Sequence, residues 1–217
     1  MTRKNIITAV AFAFLVFAVI AGYKTYVNQY QYLVLSSNQS FEFSLFKRSS
    51  SIDGLYYNKN DLVFSTNKSG KYKIKRGDYV YVASRPSKDY APIIKPLSLS
   101  TTRVLVSIND FKYTDQKLQS LLIAENPDIE NLINNSYPLP MANYSIVSPK
   151  LYYTGQWYGA LLVPKDVLNQ DTYRIVLKKK DGRWSVVTTP PSIILSQPVY
   201  PNIPFDVLSD INNKGGD

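Results

Sequence analysis

Residues 6–22, with the sequence IITAVAFAFLVFAVIAG, form an uncharged apolar run in which Thr8 is the only side chain with a polar group. A helix rises about 1.5 Å per residue, so this run is roughly 25 Å long, the short end of what crosses a bilayer. Aromatic residues follow it at the position where a membrane meets water. The sequence therefore predicts a transmembrane anchor over residues 6–27.

The charges around this run predict its orientation. Arg3 and Lys4 precede it, and the only charge close to its far end is Lys24, which favours a cytoplasmic start over residues 1–5. We therefore expect a single-pass protein of the cell membrane, amino terminus in and carboxyl terminus out, with its soluble part extracytoplasmic. A cleaved signal peptide ending at Ala21 is the alternative, and it places the rest of the chain in the same compartment.

The composition excludes several classes of chemistry. The 217 residues contain no cysteine and no histidine, which excludes disulfides, thiol nucleophiles, serine–histidine triads and histidine- or cysteine-based zinc sites. Hydrophobic residues make up 45% of the chain, enough to bury a core. The net charge is +9, and beyond the apolar run the basic excess lies in the first half. We therefore expect a protein that is not an enzyme, with no cofactor and no metal.

The first half after the apolar run has the period of β-strands. Residues 28–40 are polar and aromatic, which predicts a tether, and residues 41–112 are expected to form a small antiparallel β-sandwich. Gly77 is expected in the turn between two of its strands. Alternation or β-prone composition predicts strands at Phe41–Leu45, Asp61–Ser65, Tyr72–Lys75, Tyr79–Ala83 and Thr102–Ile108.

The stretch YKIKRGDYVYVASRPSKDY, residues 72–90, resembles the second half of PEGA-type surface domains: a strand, a basic residue with glycine, an aromatic strand and a tyrosine. The PEGA tetrapeptide itself is missing. The resemblance implies an extracytoplasmic β-sandwich with a surface or interaction role, and it carries over no catalytic residue.

The second half changes to a helical period after residue 113. Apolar residues from Leu118 to Ile133 recur at helical spacing, and Pro127 is expected to begin a second turn or helix. Strands at 144–147, 151–153, 157–163, 173–178 and 184–188 follow, then a short amphipathic segment and a disordered tail over 213–217. The predicted fold class is thus mostly β with α+β: an N-terminal transmembrane helix, a small antiparallel β-sandwich, then a helix plus a curled antiparallel sheet.

Two further resemblances bear on this half and on the whole layout. The segments GQWYGALLV and DGRWSVVTTP, within residues 113–212, are similar to small extracytoplasmic α+β domains of the nuclear-transport-factor-two-like or cystatin-like kind. The complete order, which closes with YPNIPFDVLSDIN, resembles uncharacterised single-span proteins of small-genome candidate-phylum bacteria such as the Saccharibacteria. That resemblance implies a source and a location, and no activity.

A basic segment is the first candidate site. It places five positive charges within nine residues, with no acid among them. Alternation along a strand puts its three central lysines on one face, opposite Tyr72 and Ile74. This arrangement suits anionic lipid headgroups, a wall polymer or extracellular nucleic acid. The alternative is an ordinary solvated strand face, or an edge strand kept charged against aggregation. The residues are Lys68, Lys71, Lys73, Lys75 and Arg76.

A row of aromatic residues is the second candidate site. Exposed rings in such a row would stack on sugars, whereas the alternative is that they fill the core between sheet and helix. The residues are Tyr152, Tyr153, Trp157 and Tyr158.

We therefore expect a membrane-anchored, extracytoplasmic, non-enzymatic binding or scaffolding protein of the bacterial envelope. Its expected partners are the membrane, through one span, together with anionic lipid, wall polymer or other envelope proteins, and no intracellular nucleic acid. An assembly subunit of an envelope secretion machine, with a nuclear-transport-factor-two-like domain, is the alternative. A third reading, a wall hydrolase with paired carboxylates, would draw on Asp166, Asp171 and Asp181.

Overall fold

A computed structural model describes residues 15–26, 29–48, 57–100, 103–137, 142–166, 171–189 and 191–214. This part of the chain is mostly β, with three sheets. It divides into two compact units. The first unit comprises residues 1–86 and 92–110, and the second comprises residues 87–91 and 111–217.

The transmembrane helix predicted over residues 6–27 is wrong for the part of the chain that the structure describes. Residues 15–26 are helical and are called α1 here. No described helix is long and apolar enough to cross a membrane. Residues 1–14, with the predicted cytoplasmic start, and residues 27–28 lie outside the described residues.

A three-stranded sheet of the first unit corrects two expectations, the tether and the purely antiparallel sandwich. Its strands are β1 (Tyr30–Ser36), β4 (Gly70–Lys75) and β7 (Arg103–Ser107), in the order β4-β1-β7. The middle strand, β1, lies inside the predicted tether, residues 28–40. It pairs with β4 in antiparallel fashion, but with β7 in parallel.

One buried polar residue interrupts the apolar–polar alternation of β1 in the sequence. Leu33 and Leu35 point into the core, and Gln31 occupies the preceding inward position although it is polar. Its Nε2 donates a hydrogen bond of 2.8 Å to the carbonyl oxygen of Leu99, which lies on the other sheet of this unit. That bond satisfies the amide nitrogen and so lowers the cost of a polar side chain where the sequence pattern calls for an apolar one, whereas the buried Oε1 has no hydrogen-bond partner among the described residues.

The second sheet of the first unit is antiparallel throughout. It contains β2 (Glu42–Lys47), β3 (Leu62–Thr66), β5 (Gly77–Ser84) and β6 (Ile93–Leu99), in the order β3-β2-β5-β6. Gly77 has φ of +154° and is not in a hairpin, because β4 and β5 belong to different sheets. The chain passes from one sheet to the other at this glycine. The pair Asp53-Gly54 predicts a further turn from the sequence, and it lies outside the described residues.

The second unit is a four-stranded antiparallel meander with a helix on each face. Its strands are β8 (Tyr144–Tyr152), β9 (Trp157–Pro164), β10 (Tyr173–Lys180) and β11 (Arg183–Val186), in the order β11-β10-β9-β8. Helix α2 (Asp115–Ser136) packs on one face and helix α3 (Phe205–Asn212) on the other. The central strands β9 and β10 are therefore buried on both sides.

Helix α2 is continuous, which corrects the second helix expected at Pro127. Thr114 caps its amino terminus, and the side chain accepts a hydrogen bond of 3.3 Å from the backbone N–H of Lys117. Pro127 lies inside the helix on its exposed side, and Ile123, whose carbonyl loses its partner, is exposed as well. Water satisfies such a carbonyl, so the proline does not end the helix.

Arg174 of β10 holds the carboxyl-terminal end of α3. Its Nε donates to the carbonyl oxygen of Ile211 at 3.2 Å, and its Nη2 donates to those of Asn212 at 3.2 Å and Lys214 at 3.1 Å. A cation that binds the last carbonyls of a helix also complements the helix dipole. Part of the predicted disordered tail, 213–217, is thus ordered, and residues 215–217 lie outside the described residues.

Candidate binding face

Strand β4 presents its lysines on one face of the three-stranded sheet. Lys71, Lys73 and Lys75 are exposed, whereas Ile74 is buried and Tyr72 is half-buried. The Tyr72 hydroxyl turns back to donate to the carbonyl oxygen of Lys68 at 2.7 Å. The faces are those that alternation along the sequence predicted, so the three lysines form an outward-facing row.

Strand β1 places tyrosines beside this row. The pairing register sets Tyr32 opposite Lys73 and Tyr30 opposite Lys75. The Nζ of Lys71 lies 3.7 Å from the centroid of the Tyr32 ring, and the Nζ of Lys73 lies 4.8 Å from that of Tyr30. Both distances are within the range of cation–π contacts, which hold the ammonium groups over the rings.

Strand β7 completes the face on the other side of β1. Arg103 lies opposite Tyr32 in the parallel register and is exposed. The outward positions of β1, β4 and β7 carry no aspartate or glutamate. Lys71, Lys73 and Lys75 have no ion-pair partner among the described residues. We call this surface the Lys–Tyr face; it comprises Tyr30, Tyr32, Lys71, Lys73, Lys75 and Arg103.

The other two residues of the predicted basic segment lie at the ends of β4. Lys68 is exposed in the turn that joins β3 and β4. Arg76 is exposed between β4 and β5, and its backbone N–H donates to the carbonyl oxygen of Gln29 at 2.7 Å. Neither follows the alternation of the lysine row, so the structure brings together three of the five predicted cations.

The predicted aromatic platform is not an exposed row. Trp157 and Tyr152 are buried against the α3 side of the second unit, and Tyr158 is fully buried against the α2 side. Only Tyr153 is partly exposed. Because helices cover both faces of this sheet, rings that point in either direction are enclosed, and these residues are core.

Two of these tyrosines bind carboxylates of α3. The Tyr152 hydroxyl donates to Asp210 at 2.7 Å, and the Tyr153 hydroxyl donates to Asp206. Burial and the hydrogen bond to Asp210 raise the pKa of Tyr152. Burial tends to raise the pKa of Asp206, but hydrogen bonds from Tyr153 and Lys112 outweigh it and lower the pKa overall.

A pocket of about 280 Å³ lies over these hydrogen bonds. Lys112 binds Asp206 at 3.1 Å, and Lys150 binds Asp210 at the same distance. Each carboxylate is therefore paired with a lysine and a tyrosine, so neither has the raised pKa of a general acid at neutral pH. The arrangement fastens α3 to β8. The acids proposed for a hydrolase, Asp166, Asp171 and Asp181, are not among the lining residues.

Comparison with protein-family models, with curated proteins and with solved structures finds no match.

Sequence reasoning did not include Tyr30, Tyr32 and Arg103 in the candidate site. These residues join the lysines only through the pairing register of β1, which the sequence does not reveal by itself. The spacing Tyr30-x-Tyr32 directly before Leu33-x-Leu35 was the available signal, because it is the alternation of a strand with an aromatic outer face.

Proposed function

We propose that this protein is a non-enzymatic binding or scaffolding module of the bacterial envelope that holds an anionic partner on the Lys–Tyr face. The observation that supports the proposal most is the row of Lys71, Lys73 and Lys75, exposed together without a carboxylate partner among the described residues. A solvated strand face usually mixes both signs of charge, and this face carries one sign only.

The spacing of the row suits a repeating or planar array of negative charges. Alternate residues of a strand lie about 6.8 Å apart on one face, so the row from Lys71 to Lys75 is roughly 14 Å long. Near an anionic surface each lysine contributes about 1 kcal/mol, and exposed charges are screened as salt rises. Binding should therefore combine several weak contacts and depend strongly on ionic strength.

The experiment compares two triple variants of the full chain that change net charge equally. In the first, Lys71, Lys73 and Lys75 are changed to Gln. In the control, exposed lysines that are not part of the Lys–Tyr face are changed to Gln, namely Lys59, Lys88 and Lys95. Binding to immobilised polyphosphate is measured at about 0.1 M and about 1 M salt, between which the Debye length falls from about 10 Å to about 3 Å.

We expect the control to bind like the parent and the face variant to lose at least tenfold in affinity at the lower salt. Far-ultraviolet circular dichroism checks that both variants remain folded. Equal losses in the two variants would show that only net charge matters, and the proposed face would be wrong.

The location outside the cytoplasm is a further part of the proposal, and it is supported by the basic start and apolar run of the sequence. An enzymatic reporter fused after Asp217, of a kind that is active only outside the cytoplasm, tests it. We expect activity in intact cells, and activity of a cytoplasm-specific reporter at the same position would refute the location.

A further inference from the structure

Helix α1 leaves its apolar side chains exposed in the described part of the chain, and only its last residue, Tyr26, contacts other described side chains. All of residues 15–26 are exposed, and the apolar side chains of Leu15, Phe17 and Val19 are exposed by 65%, 75% and 62%. Successive helical residues are rotated by about 100°, so these residues, with Val16 and Ile20, spread over an arc of about 200°, and the small residues Ala18, Ala21 and Gly22 occupy the rest of the circumference. A helix that is apolar on all sides needs an apolar environment.

The carboxyl end of α1 adjoins the Lys–Tyr face. The ring of Tyr26 lies 5.1 Å from that of Tyr30, centroid to centroid. The Nζ of Lys73 lies 4.6 Å from the Tyr26 centroid, and the backbone N–H of Gln29 donates to the Tyr26 carbonyl oxygen at 3.1 Å. An apolar helix is thus continuous with a surface of tyrosines and lysines.

From this continuity we infer that α1 and the Lys–Tyr face together bind the surface of an anionic lipid bilayer. The inference depends on the proposed function, because it names the anionic partner of that same face. In this contact the apolar side chains of α1 lie in the acyl region and the lysines meet the headgroups.

Three features favour a lipid over an anionic polymer. Tyrosines such as Tyr23, Tyr26 and Tyr30 have an apolar ring and a polar tip, which suits the boundary between hydrocarbon and water. Lysines extend their stems along apolar surface and keep the ammonium group at the headgroups. A water-soluble polymer satisfies the lysines but leaves α1 exposed, whereas a lipid layer covers both.

The test uses the full chain and two kinds of partner. Unilamellar vesicles of equimolar phosphatidylcholine and phosphatidylglycerol provide an anionic lipid surface, pure phosphatidylcholine vesicles remove the charge, and polyphosphate removes the apolar layer. An α1 variant changes Phe17, Val19 and Ile20 to Ser. Its matched control changes three exposed apolar residues of the second unit to Ser, namely Ile123, Ile194 and Val199.

We expect the parent and the matched control to sediment with anionic vesicles. The Lys71, Lys73 and Lys75 to Gln variant should bind them roughly a hundredfold more weakly, because each lysine accounts for about fivefold. The α1 variant should bind vesicles at least tenfold more weakly but bind polyphosphate like the parent. Pure phosphatidylcholine should retain much less of the parent than anionic vesicles do.

The two proposals fail in different ways. Parental vesicle affinity in the α1 variant would overturn the lipid inference, and lysine-dependent binding of polyphosphate would leave the proposed function intact. Parental binding of both partners by the lysine variant would overturn the proposed function. The alternative partner of α1 is a second copy of this chain, and sedimentation velocity without vesicles would detect the resulting dimer. Dimers that the α1 variant dissociates, without any effect on vesicle binding, would also overturn the lipid inference.

Discussion

Changing Gly159 to Ala should destabilise the second unit, because α3 packs directly on this glycine. An added Cβ would lie 2.3 Å from Cδ1 and 2.8 Å from Cγ1 of Ile211, and 3.3 Å from Cε2 of Tyr152. Ordinary carbon–carbon contacts are about 3.5–4.0 Å, so Ile211 must move by more than ~1 Å. Ile211 is fully buried, which leaves it little room to change its rotamer.

The magnitude follows from two opposing effects. Overpacking a core costs about 1–3 kcal/mol, whereas alanine is better than glycine inside a strand by about 0.5–1 kcal/mol. We therefore expect a net loss of about 1–2 kcal/mol in the free energy of unfolding. Ile211→Val removes the atom nearest to the new Cβ and by itself costs about 0.5–1.5 kcal/mol.

The assay is urea unfolding followed by tryptophan fluorescence. The chain has two tryptophans, Trp157 and Trp184, and both lie in the second unit, so the signal reports on that unit. In the double variant Gly159→Ala with Ile211→Val, the loss should be smaller than the sum of the single losses by at least ~0.5 kcal/mol. An unchanged unfolding midpoint for Gly159→Ala, or strictly additive losses in the double variant, would refute the close packing of α3 on β9.

Three further predictions concern the same unit and the same assay. Thr114→Ala removes the amino-terminal cap of α2 and should lower the free energy of unfolding by about 1 kcal/mol. Thr114→Ser keeps a capping hydroxyl and should therefore retain most of this stability. Arg174→Met should cost at least about 2 kcal/mol, because the carbonyl oxygens at the end of α3 lose a charged donor; a loss below that of Thr114→Ala would contradict this. The pKa values of Asp206 and Asp210 are lower in the folded state than in the unfolded state. The stability that these carboxylates contribute is therefore present above the unfolded pKa of about 3.9, and it is lost as pH falls through the folded pKa values. Urea midpoints should therefore drop as pH falls below about 5, and less so in the variant Asp206→Asn with Asp210→Asn.

Strands with an unbroken period were predictable from the sequence, and strands with one exceptional residue were not. The alternation in β4 and β5 and the aromatic runs of β9 and β11 identified these elements. Strand β6 was missed because Pro96 lies inside it. That proline is tolerated because β6 is an edge strand, where one missing N–H does not break a second ladder.

The candidate site was predictable only along one strand. Local alternation determines which way Lys71, Lys73 and Lys75 point, and this required no knowledge of the tertiary structure. Which side chains join them depends on the partner strands, and β1 finds one of its partners through a parallel pairing that no short-range signal encodes. The prediction of an exposed aromatic row was wrong for a related reason. Those rings are buried because α3, which comes much later in the chain, covers the second face of the sheet.

The parallel pairing of β1 with β7 also bears on how the chain is made. β1 is synthesised early, but β7 follows only after every strand of the neighbouring sheet, so a growing chain on the ribosome holds β1 without its second partner. Closing so long a loop is slow. The β1 segment, YQYLVLS, is uncharged and β-prone. Such a composition favours association with other chains until β7 has been synthesised and paired. Antiparallel β4 is completed sooner and protects one edge with lysines, so the nascent chain is most prone to aggregation before β4 is made, and its β7 edge stays open longest.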